Sequence, residues 1–125
     1  MKGPTQRTLE ECRRLGWVAG VVEKWIPQTR RRADLWGWCD VVALSPGALV
    51  FIQCTSGSNH ASRAQKVAEW AHLPDLERAG GRAEVWSWAK RVVRRADGSK
   101  AKRKQWALRR ELVLAHSETV TKEVA

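Results

Sequence analysis

Apolar positions along this chain change period from one segment to the next, and the changes mark its elements. In residues 5–16 (TQRTLEECRRLG), Thr5, Thr8, Leu9, Cys12 and Leu15 fall on one face at helical spacing. Thr5 or Thr8 can cap this helix, Glu10 and Glu11 sit early, Arg13 and Arg14 sit late, and Gly16 ends it. Residues 17–26 (WVAGVVEKWI) read as a strand stopped by Pro27, and residues 28–34 (QTRRRAD) as a loop. Residues 36–44 are a second strand, whose continuous run from Val41 to Leu44 suits a strand covered on both faces. Ser45-Pro46-Gly47 is turn chemistry, and residues 48–55 form a third strand, apolar until Gln53. The two strands pair as an antiparallel hairpin at the centre of a sheet.

Beyond the loop Ser56-Gly57-Ser58-Asn59, a helix that Ser58 or Asn59 can cap is expected over residues 60–70. Pro74 kinks or restarts it and Gly80-Gly81 ends it. Residues 82–93 alternate, with Val85 and Ser87 opposite Trp86 and Trp88, and residues 105–114 are a last strand. Between them Asp97-Gly98 is a hairpin signal inside a basic finger over residues 94–104. The tail from about residue 115 reads as frayed. The expected architecture is one α/β domain with a mixed central sheet flanked by helices, in the order α-β-β-β-α-β-β.

Composition narrows the function classes. A chain of 125 residues, 43% hydrophobic and 29% charged, is a single globular domain. No apolar run reaches the length of a membrane span and the N-terminus has no signal core, so a cytoplasmic protein without a membrane partner is expected. The three cysteines, Cys12, Cys39 and Cys54, are dispersed in apolar settings without zinc-ligand spacing and read as buried thiols. The net charge of +10 favours a polyanion, most often nucleic acid. Of the eight tryptophans, some must be core, and exposed ones can stack on bases.

The polar groups that stand out cluster in residues 37–63. Asp40 opens a buried strand, and Gln53-Cys54-Thr55 closes the next. Glu11, on the flank of the first helix's apolar stripe, is placed to look into a site at the core's edge. His60 and Arg63 occupy the inward face of the following helix, with Lys66 one turn on. Arg30, Arg31 and Arg32, immediately before this stretch, are candidates for phosphate contact, as are Arg94, Arg95, Lys100, Lys102, Arg103 and Lys104 of the finger. Backbone amides around Ser58 and Asn59, at a helix N-terminus, suit phosphate too.

A helix, a strand, a strand carrying an acid, a turn, a strand ending polar-x-polar, then a helix and a strand: this order resembles the PD-(D/E)XK nuclease core over roughly residues 8–90. It is most similar to small Holliday-junction-resolvase-like nucleases of phages and bacteria. The resemblance implies a restriction-endonuclease-like fold, Mg²⁺ or Mn²⁺, DNA as substrate with branched DNA as one class, a homodimer as one assembly, and the cytoplasm of a bacterium or phage-infected cell. Asp40 matches the family Asp, while Gln53 stands at the Glu and Thr55 at the Lys of E-x-K. By the same resemblance the metal falls to Asp40, Gln53, the Cys54 carbonyl and Glu11, with Asp34 as another source of charge. His60, Arg63 or Lys66 would stand in for the missing lysine. A catalytically degenerate DNA-binding module of the same fold, and a small basic protein-binding regulator, are the alternatives.

Overall fold

The computed structural model describes residues 2–115. Pro4 has its φ preset for a first helical position, and α1 (Pro4–Arg14) starts there behind Gly3, with no side-chain cap. The expected Thr caps are therefore corrected: Thr5 lies within the first turn, and Thr8 is buried, its hydroxyl accepting a hydrogen bond from Trp88 Nε1 at 3.0 Å.

The remaining elements are β1 (Val18–Val21), β2 (Lys24–Ile26), β3 (Arg31–Ala33), β4 (Val41–Ser45), β5 (Ala48–Ser56), a 3-10 turn (Gly57–Asn59), α2 (His60–Ala68), α3 (Leu73–Arg78), β6 (Gly81–Arg94) and β7 (Lys100–Val113). The main sheet has five strands in the order β1-β4-β5-β6-β7. All its neighbours are antiparallel except β5 and β6, whose parallel pairing is made by the crossover through α2 and α3. This is an α/β domain with a mixed sheet. Among the described residues, no helix is long and apolar enough to cross a membrane.

Four expected segments are redrawn. Residues 17–26 do not form one strand. The ladder of β1 ends where Val22 N–H donates to Asp40 O at 2.9 Å, and the chain then leaves the sheet to build a separate ribbon of β2 and β3. In the arginine run Arg30 stays in a turn, while Arg31 and Arg32 are strand rather than loop. The strand expected from residue 36 begins only at Val41, because Trp36 (φ 59°) and Gly37 (φ 81°) are left-handed and cannot be extended. They form a tight turn closed by reciprocal bonds between Leu35 and Cys39, both 2.9 Å. Glycine suits that backbone; a tryptophan there costs about 1–2 kcal/mol. Finally, the tail is still held at Ala115, whose N–H donates to Glu77 Oε2 at 3.1 Å, while residues 116–125 lie outside the described residues.

Alternation divides the core into two layers. On one face Val41, Ala43, Val50, Ile52, Cys54 and Trp86 pack under Leu9 and Cys12 of α1. On the other, Ala83, Val85 and Val113 pack with Trp38, Cys39, Val67 of α2 and Leu73 and Leu76 of α3, and Phe51 joins them. Gln53 and Thr55 share the parity of Phe51, so β5 presents both to the α2/α3 face. Beyond the Ser56↔Trp88 pair, where β5 ends, β6 and β7 continue as a free ribbon carrying the basic finger. Its tip is closed by Arg95 N–H to Ser99 O at 2.8 Å, with Gly98 at φ 86°.

Trp86 lies at the centre of the first layer, fully buried, with Nε1 donating to Glu84 Oε1 at 2.8 Å. Trp86→Ala is expected to lower unfolding stability by about 3–5 kcal/mol, read from equilibrium denaturant unfolding.

Candidate functional site

Asp40 occupies the point where β4 stops following β5. Its backbone N–H donates to Ile52 O at 2.9 Å, one residue out of the register in which Val41 faces Ile52, so the ladder is already broken here. Cys39, the next residue outward, is turned into the Leu35 turn, so Cys54 N–H has no carbonyl to meet. The Asp40 side chain supplies the acceptor: Oδ2 takes a hydrogen bond from Cys54 N–H at 2.8 Å and another from Gln53 Nε2 at 2.9 Å. Gln53 Nε2 also donates to Cys54 O at 3.2 Å. Asp40, Gln53 and Thr55 are all buried. The sequence-derived convergence of Asp40 with Gln53 and Cys54 is thus a set of direct contacts.

Two further acids join them. Glu23, at the break between β1 and β2, and Asp34, just after β3, bring a carboxylate oxygen within 4.8 Å of each other and of Asp40. Clustered anions in a partly dehydrated site disfavour one another's charged form. Burial first, and then the adjacent carboxyls of Asp34 and Glu23, push the Asp40 carboxyl up to about 7, against the lowering effect of the Cys54 N–H bond. Gln53 Oε1, attached to the same amide that touches Asp40, is buried with no hydrogen-bond partner. Three carboxylates and an unsatisfied amide oxygen are hard oxygen donors, the set that Mg²⁺ or Mn²⁺ takes. The residues present therefore fit such a cation.

Other expected members stand elsewhere. Glu11 rides on α1, over the opposite face of the sheet, and is bound by Arg14 at 2.9 and 2.5 Å, which holds its carboxyl below the usual range. It is not part of the acidic group. His60 is 1% exposed and spent on both sides: Nδ1 bonds Ser87 Oγ at 2.6 Å and Nε2 donates to Glu111 Oε1 at 2.7 Å. It fastens the start of α2 to β6 and β7. Arg63 is half-buried and Lys66 exposed on α2, and no contact ties either to the carboxylates. Asn59 stands at the α2 N-cap, but its amide donates to Ser56 Oγ at 3.2 Å and leaves the first-turn amides uncapped. The thiols are inert: burial pushes Cys12 up to about 11, Cys39 up to about 12 and Cys54 further. Cys54 contributes its backbone only.

Among the arginines, Arg30 and Arg31 are exposed, while Arg32 Nη1 reaches Glu23 Oε1 at 3.4 Å, which puts a guanidinium at the edge of the acidic group. Sequence reasoning missed Glu23. The signal was there, a lone acid in the apolar run WVAGVVEKWI, the same signal that singled out Asp40. Comparison of the chain with protein-family models, characterised proteins and solved structures gave no match.

The raised Asp40 carboxyl makes stability depend on pH. Between about pH 4 and about pH 7 the folded chain keeps a proton that the unfolded chain releases, so stability falls as pH rises through that window. The thermal midpoint of the metal-free protein is expected to drop between about pH 5 and about pH 8, and Asp40→Asn to flatten that drop. An equal drop in Asp40→Asn would assign the pH dependence to other groups.

Proposed function

We propose that this chain is a divalent-cation-dependent deoxyribonuclease that hydrolyses phosphodiester bonds. The observation that carries the reading is the convergence of Glu23, Asp34 and Asp40, the last bonded to the amide of buried Gln53, in a protein of net charge +10. Acids packed this closely in a basic protein are costly unless a cation or a proton compensates them. Phosphodiester hydrolysis needs that compensation where charge builds on the phosphoryl group.

In this reading Glu23, Asp34, Asp40 and Gln53 Oε1 hold Mg²⁺ or Mn²⁺, and the Cys54 carbonyl lies beside them. The bound cation supplies charge neutralisation and a more acidic water. With the cation bound, Asp40 would be held in its charged form and would act as a ligand. Arg32, already against Glu23, exchanges that partner for a phosphate oxygen and fixes the backbone at the site. It takes the charge role that Thr55 cannot. Arg30, Arg31 and the β6–β7 ribbon hold flanking phosphates, contacts that set position without reading sequence.

The second reading, a DNA-binding module that has lost catalysis, draws on the absence of a cationic side chain at Thr55 and the burial of that residue. One experiment separates them. Supercoiled, linear and four-way-junction DNA are incubated with Mg²⁺, Mn²⁺ or EDTA. Cutting is expected only with metal, and Glu23→Gln, Asp34→Asn or Asp40→Asn should each slow it about a hundredfold or more while DNA still binds. Binding without cutting under every metal leaves the module and removes the nuclease.

A further inference from the structure

We propose that the aromatic cavity beside the carboxylates holds an unpaired nucleobase of the DNA strand; the inference rests on the reading of the chain as a DNA-processing protein. The cavity, about 590 Å³, is walled by Trp36, Leu49, Phe51 and Trp70, with His72 and Asp75 on its edge. Trp36 stacks on Trp70 at 5.1 Å between ring centroids and 25° between planes, and lies 5.2 Å from Phe51. One side of this stack is open, since Trp36 is 45% exposed.

Position ties the cavity to the acidic group twice. Trp36 lies in the segment between Asp34 and Asp40, two residues from the former, a span of at most about 7 Å. Phe51 and Gln53 are alternate residues on one face of β5, about 7 Å apart. A phosphate at the carboxylates therefore has a base within reach of the Trp36 ring. The backbone gives an independent reason. Trp36 has φ 59°, where a bulky side chain is strained and Gly or Asn is at ease. Strain at an exposed aromatic, beside a polar site, is the kind retained for a ligand contact.

The occupant's chemistry is set by the walls and the charge. Flat aromatic faces take flat aromatic rings, and every base has such a face. The protein's positive charge selects an occupant attached to an anion, which an apolar peptide is not. At the rim Asp75 is the acid, and Arg78 and His72 both bind it, offsetting its repulsion of phosphate. A base inside a duplex cannot enter, so the cavity selects single strands or unpaired positions at branches and ends.

The test uses a single-stranded oligonucleotide carrying 2-aminopurine, a matching duplex and an oligonucleotide of abasic residues, with Ca²⁺ in place of Mg²⁺ for binding and Mg²⁺ for cutting. Stacking should quench 2-aminopurine emission in the parent protein. Trp36→Asn, which suits the left-handed backbone, should weaken single-strand binding about tenfold and duplex binding by no more than about twofold. Trp36→Phe should restore most of the loss. Unquenched 2-aminopurine, equal single-strand affinity in Trp36→Asn, or abasic DNA bound as well as the normal strand each overturns the base site. A parent that cuts DNA while Trp36→Asn behaves identically loses the base site and keeps the nuclease. A parent that quenches through Trp36 and never cuts keeps the base site and loses the nuclease.

Discussion

A carboxylate, Asp40 Oδ2, ends the ladder between β4 and β5, and the geometry around it depends on that. An unpaired buried N–H costs free energy comparable to a lost hydrogen bond. Cys54 N–H escapes this because Asp40 reaches across at 2.8 Å. The chain before Asp40 is thereby released from the sheet. It is free to fold into the tight Leu35–Cys39 turn, to send β3 and Asp34 past the site, and to break β1 from β2 so that Glu23 turns in. The same residue that completes the ladder belongs to the acidic group, so fold and chemistry share one buried carboxyl.

That sharing imposes a conflict. Burial and the neighbouring carboxyls drive Asp40 toward its neutral form, while the Cys54 and Gln53 donors favour the charged one. A divalent cation resolves the conflict in favour of the charged form; a proton resolves it the other way. The two sheet faces divide the remaining work. The α1 face packs around Trp86, Ile52 and Cys12 with buried Glu84 paired to arginine, whereas the α2/α3 face carries the aromatic cavity, the carboxylates and the His60–Ser87–Glu111 bonds.

Cationic groups stand on two ribbons. The β2–β3 ribbon brings Arg32 against Glu23, and the β6–β7 ribbon extends past the end of β5 with Arg94, Arg95, Lys102 and Arg103 around its distal part. Neither ribbon has a core of its own. Both project from the sheet.

Much of this was legible in order along the chain. The continuous run Val41–Leu44, the Pro46-Gly47 turn and the apolar strand to Gln53 mark a central hairpin, because burial on both faces demands unbroken apolar sequence. An acid at the start of such a run marks Asp40, because nothing in a dry layer tolerates a carboxylate without a purpose. The sequence could not show that Glu11 faces away or that Glu23 faces in. Each depends on which face a helix covers and where a ladder breaks, and both are decided by contacts between segments far apart in the chain. Nor could it separate the core tryptophans from Trp36, since composition is silent on a backbone angle. By itself the sequence determined the central hairpin and its turn, the charge and one buried acid, all consequences of local chemistry. Tertiary structure alone decided which acids meet, which histidine is spent on the frame and which tryptophans stay open, because those depend on how the sheet is closed around Asp40.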